Sequence, residues 1–162
     1  MIDNALGKAD TNDLKFELMS MKLPALANAS LSPAEIEQQL MSMFDLSEGI
    51  SVQARAMKLI SASRIVHDLF IEDKITEIAV VERAKNLVAP SIAGLPALNR
   101  AVALDSLAHL QFVTGDLAGA ISSQEKAVEL TKDKQQATYQ KFLDQLKSTN
   151  EEGAAEKKGS GN

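Results

Sequence analysis

Two histidines, His67 and His109, are the imidazoles of this sequence, a side-chain type used in acid–base chemistry, and they stand 42 residues apart. Either could act as a general base, but a base needs a nucleophile or a bound water to work on, and no such group is implied beside them. The chain has no cysteine, so it lacks a thiol nucleophile and thiolate metal ligands. No carboxylate or thiol spacing completes a His–His metal site. Glycine-rich phosphate loops and Gly-x-Ser-x-Gly elbows are also missing. The residues therefore name no catalytic group, no metal and no cofactor, and the chain reads as a non-enzyme.

The surroundings of the histidines carry more information than the imidazoles. The segment 64–78, "RIVHDLFIEDKITEI", falls on 106–120, "SLAHLQFVTGDLAGA", when the chain is shifted by 42 residues. His67 then meets His109, Phe70 meets Phe112, Ile65 meets Leu107, Ile71 meets Val113, Ile75 meets Leu117, and Val88 meets Leu130. The hydrophobic pattern matches through two helices and the turn between them. Self-similarity at such a period is a mark of stacked helical units.

Composition agrees. Hydrophobic residues make up 45% of the chain but aromatics only 4%, so a core must be built from Ala, Leu, Ile, Val and Met. Ala, Leu and Met favour helix, and the 8 glycines and 4 prolines are few for 162 residues. An all-α fold is expected. The net charge of -5 argues against a nucleic-acid binder that neutralises phosphates. No apolar run is long enough to span a bilayer, and "MIDNALGKADTND" does not read as a signal peptide. Cytoplasm is the expected location, with no membrane contact.

Along the chain, 1–31 reads as a loose segment with a short helix at about 13–22, ended before Pro24. Ser32, Pro33 and Glu35 have the pattern of a capping box, and Ile36, Leu40, Met43 and Phe44 follow on one face. Helical patterns then run over about 52–72 and 76–88, break at "APSIAGLP", and resume over 97–114 and 117–131. A last helix is expected at 134–147, with Asp133 and Gln136 at capping-box spacing. The tail 149–162 lacks an apolar anchor and is expected to be disordered. The main domain spans 32–148, with hairpins at about 52–88 and 97–131 and a helix at 134–147 that caps them. Methionines 19, 21, 41 and 43 form a second candidate surface near the N-terminus, since Met adapts to irregular partners.

The second hairpin resembles a tetratricopeptide repeat. Leu104, Leu107 and Ala108 stand at its large-x-x-Leu-small pattern, Gly115 and Asp116 make the corner, and Ala120 and Ala127 occupy the small positions of the second helix. Gln111 and Gln124 depart from the pattern, where aromatics are usual, and Lys132 replaces the usual proline. The 42-residue spacing exceeds the ordinary period of about 34 and resembles the longer repeats of kinesin light chains. The resemblance covers about half of the chain. It implies a TPR-like α-solenoid with flanking N-terminal helices and a C-terminal capping helix.

It also implies that the first helix of each hairpin lines the concave surface. Carried over, the inward set is Val102, Asp105, His109, Phe112 and Val113 in one hairpin, and Ile60, Ser63, His67, Phe70 and Ile71 in the other. Ser63, His67, Phe70, Asp105, His109 and Phe112 are thus the expected partner-binding residues. Asp105, His109 and Ser63 replace the Lys, Arg and Asn of clamps that hold chaperone tails, which argues against that role. The chain looks like a protein-binding adaptor similar to bacterial kinesin light chain-like proteins, whose partner would be a bacterial tubulin filament. The stretch "GDLAGAISSQEKAVEL" also resembles repeat segments that accompany bacterial thioredoxin-like proteins, which would imply a redox partner instead. Two hairpins are near the lower limit for a stable stack, so self-association through an uncapped face stays open.

Overall fold

The computed structural model describes residues 11–28 and 31–159. Among them the chain forms seven α-helices, one short 3-10 turn and no strand. The helices are α1 (Asn12–Ala27), α2 (Pro33–Glu48), α3 (Val52–Ile71), α4 (Ile78–Val88), α5 (Ala97–Val113), α6 (Leu117–Glu129) and α7 (Asp133–Gly159). They divide into two compact units, one up to Gly94 and one from Leu95. The division falls at the "APSIAGLP" break, inside the stretch 32–148 that the sequence reading treats as one domain.

In the first unit, α1 is longer than the expected 13–22 helix and carries Pro24 in its interior. Proline removes one helical hydrogen bond, a cost of about 3 kcal/mol in an isolated helix. Here Leu23 and Ala27, on either side of it, are buried against the core, and that burial holds the last turn. At the other end the Thr11 hydroxyl accepts the Leu14 N–H at 3.2 Å. The α2 helix opens on the capping box, with the Ser32 N–H donating to the Glu35 carboxylate at 2.9 Å. The hydrogen bonds from the Ser32 backbone and hydroxyl hold the Glu35 carboxyl below its ordinary pKa. Ile36, Leu40, Met43 and Phe44 all lie in the core, as their helical spacing requires.

The α3–α4 corner is wider than the repeat alignment predicts. Asp73 adopts a left-handed φ of 55°, and the N–H groups of Lys74 and Ile75 both donate to the Leu69 carbonyl, at 2.9 and 3.3 Å. Ile75 is buried in the corner, and α4 begins at Ile78 instead of near 76. Its start is capped from another helix. The buried carboxylate of Glu37 in α2 accepts the N–H groups of Thr76 at 2.7 Å and Glu77 at 2.9 Å. A negative group is favourable at that end of a helix.

Cross-helix contacts fix the register of the two hairpins. Lys58 of α3 pairs with Asp13 and Glu17 of α1, and residues 24–28 of α1 share a cleft with residues 65–72 of α3. Glu37 meets the start of α4, while Asp45 and Glu48 pair with Arg83 further along it. Residue number rises together along both pairs. So α1 lies beside α3 and α2 beside α4, each pair running in the same direction.

In the second unit α5 and α6 form a tight hairpin, and α7 packs back along it. Gly115 takes a φ of 81° at the corner, where a side chain would be strained. Asp116 then caps α6 by accepting the Gly119 N–H at 3.0 Å. Asp133 is the first residue of α7, and the Gln136 amide donates to the Val128 carbonyl of α6 at 3.3 Å; the expected capping box rests on the Asp133 side chain, which lies outside the described residues. The α7 backbone stays helical to Gly159, past the expected end at 147. Among the described side chains its last buried apolar residue is Leu146, and residues 147–153 are exposed.

Candidate functional site

Alanine makes the α5–α6 hairpin. Ala101, Ala108, Ala120 and Ala127 are fully buried, so the backbones approach where side chains are smallest. An Ala120→Leu substitution is expected to overpack this contact and cost about 1–3 kcal/mol. Thermal melting checks it, and an unchanged midpoint would remove Ala120 from the close contact.

The two glutamines at the departures from the repeat pattern stitch the hairpin with polar bonds. Gln111 accepts the Ser123 hydroxyl at 2.7 Å and reaches Asp116 at 3.4 Å. The Gln124 amide is wholly buried and donates to Asp105 Oδ1 at 3.0 Å and to the Tyr139 carbonyl at 3.1 Å. One side chain thus ties α5, α6 and α7 together.

The expected partner-binding residues fall into two groups. Ser63 and Asp105, which occupy matching positions, are both buried. The Ser63 hydroxyl donates to the Ile60 carbonyl at 2.7 Å, and Asp105 is engaged by Gln124. Neither offers its polar group to an outside partner in this arrangement. The others reach the surface to different extents. His67 lies next to Asp68, with Nδ1 3.1 Å from a carboxylate oxygen, and Phe70 is half-buried. His109 stacks on Phe142 of α7, with ring centroids 3.8 Å apart and planes 7° from parallel. Phe112 meets the edge of Phe142 at 6.2 Å and keeps 39% of its surface exposed. The His109 Nε2 is 3.9 Å from Asp105.

His109, Phe112 and Phe142 therefore form one aromatic ridge between α5 and α7. Phe142 is not among the expected partner-binding residues; in the sequence its signal is the helical spacing it shares with the apolar Tyr139, Leu143 and Leu146. The ridge presents flat rings, one partly open phenyl, and a histidine held in place by stacking.

The methionines also divide. Met19 and Met43 are core residues, Met41 is half-buried, and Met21 is 69% exposed. Among the described residues no group of three or more His, Asp or Glu side chains could hold a metal ion. No helix among them is long and apolar enough to cross a membrane. No protein-family model, curated protein or solved structure matches this chain.

Proposed function

We propose that this chain is a non-enzymatic, protein-binding adaptor assembled from TPR-like helical hairpins. The observation that carries the reading is the register in the first unit, where α1–α2 and α3–α4 lie side by side with like helices parallel. Hairpins stacked in this way make extended faces that suit another protein better than a small substrate. In the second unit α5–α6 followed by α7 has the same order of hairpin and next helix. The reading thus takes in α1–α2 as a further hairpin of the same kind.

Within it, the ridge of His109, Phe112 and Phe142 is the contact surface of the second unit. The 42-residue spacing supports the kinesin light chain-like form of the proposal, with a bacterial tubulin filament as partner. The test is affinity capture from the source cell's extract with the whole chain and with a folded His109→Ser, Phe112→Ser variant. A partner held by the first and lost by the second is the expected result, and tubulin-like chains among the captured proteins support the specific form. Capture of the same partner by both removes the ridge from the binding surface. Co-sedimentation that leaves the chain in the supernatant removes the tubulin filament as its partner.

A further inference from the structure

The seam between α1 and α3 is open to solvent and has an uneven charge. Its first cleft, of about 560 Å³, is lined by Phe16, Ser20, Met21, Ala54 and Met57, with Asp13, Glu17 and Lys58 at one end. Phe16 is buried and forms the floor, while Met21 and Met57 are 69% and 42% exposed. A smaller cleft of about 200 Å³ continues along the same helices, with Ile65 and Leu69 beside Asp68 and Glu72. The first cleft is mostly apolar inside, the second is evenly divided between polar and apolar surface, and both bear carboxylates.

Their linings hold four carboxylates, those of Asp13, Glu17, Asp68 and Glu72, and one ammonium, that of Lys58. Lys58 is already engaged. Burial works against its charge, but hydrogen bonds to Glu17 and Asp13 and the charges of both carboxylates outweigh it and hold its pKa above the ordinary lysine value. The other cations of these helices, Lys15, Lys22, Arg55 and Arg64, line neither cleft. The seam is left with an excess of negative charge around apolar ground.

We propose that the α1–α3 seam docks a basic amphipathic helix of a partner protein. Such a helix would place large apolar residues against Phe16, Met21, Met57 and Leu69, and Lys or Arg beside the flanking carboxylates. Unbranched methionines on the rim adapt to such side chains, and helix-in-groove docking uses anchors about one turn apart. At about 1.5 Å per residue, the seam from Asp13 to Asn28 matches a helix of about four turns. Asp13 and Glu17 share the single charge of Lys58 and Asp68 lies beside His67, so it is the net negative charge of the two linings that acidic and charge-neutral helices would leave unmet. This inference rests on the protein-binding reading but uses a different surface from the aromatic ridge.

A library of helix-biased peptides, with apolar and charged positions varied, is panned on the full chain, and the selected peptides are titrated by fluorescence anisotropy. The expected winners are net basic, with apolar residues at i and i+4, and their affinity falls as salt is raised. Met21→Ser with Met57→Ser should weaken them about tenfold or more. Glu17→Lys with Glu72→Lys should do the same and favour acidic peptides. Both variants change exposed side chains, and circular dichroism checks that they fold. The proposal is overturned if selection yields no binders, if acidic or neutral peptides win, or if the serine variant binds as tightly as the original. It is also overturned if the chain sediments as a dimer that the serine variant dissolves, since a second copy then covers the seam. Any of these results, alongside capture that still depends on Phe112, would leave the adaptor reading standing.

Discussion

Replacing Phe44 with alanine is expected to cost about 3–5 kcal/mol and to leave much of the first unit unfolded at moderate temperature. Phe44 is 1% exposed on α2, and the chain has only five phenylalanines, one tyrosine and no tryptophan. Apart from Phe16 of α1, the core of the first unit is made of Leu, Ile, Val, Met and Ala, and no second large ring in α2 could move into the gap. Marginal stability makes such a loss visible, because small domains are held by only about 5–15 kcal/mol. Denaturant titration followed by far-ultraviolet circular dichroism measures it. A loss below about 1 kcal/mol would mean that the site collapses around the cavity, and the packing of α2 described above would be wrong.

The second large effect belongs to Gln124. A Gln124→Leu variant keeps the volume roughly and removes the buried amide that serves both Asp105 and the Tyr139 carbonyl. Hydrogen bonds to a charged group contribute about 1.5–3 kcal/mol, and losing one partner inside a protein costs more than removing both. The single variant should therefore lose about 1.5–3 kcal/mol, while Asp105→Leu combined with Gln124→Leu should regain part of that loss. Urea unfolding of the wild type, the two single variants and the double variant gives the coupling. Simple additivity of the two losses would show that Gln124 and Asp105 act independently.

These two residues also mark what could be read from sequence. Phe44 was placed in the core by spacing alone, because Ile36, Leu40, Met43 and Phe44 repeat at helical intervals behind a capping box. The all-helical class followed from the same kind of pattern together with the scarcity of glycine and proline. Gln124 was visible only as a departure from a repeat pattern. Nothing local says that its amide meets Asp105 from another helix. Phe142 and Glu37 were hidden for the same reason. The first stacks on a histidine 33 positions earlier in the chain, and the second caps a helix that begins about 40 positions later. Partnerships between distant residues leave no trace in periodicity.

Local rules also lost where burial competed with them. Pro24 predicts an end to α1, yet the buried Leu23 and Ala27 carry the helix onward. Asp105 and Ser63 fall on the face of their helices that the repeat resemblance assigns to the concave binding surface, yet both are covered. The wide α3–α4 corner is a separate departure from the alignment. The first hairpin of the aligned pair keeps the 42-residue offset as far as Ile71 and Val113, where α3 and α5 end. It then spends extra residues in the turn, so α4 and α6 start 39 residues apart.

Tyr139 has one more consequence. It is the single tyrosine of a chain without tryptophan, it is buried in the second unit, and its hydroxyl accepts a hydrogen bond from Gln135 at 2.8 Å. Its ultraviolet emission is therefore a private signal of the second unit, whereas backbone ellipticity sums both. Recording the two in one thermal scan separates them without any label. Coincident midpoints mean that the halves of the chain melt as one cooperative body, and split midpoints mean that each carries its own stability.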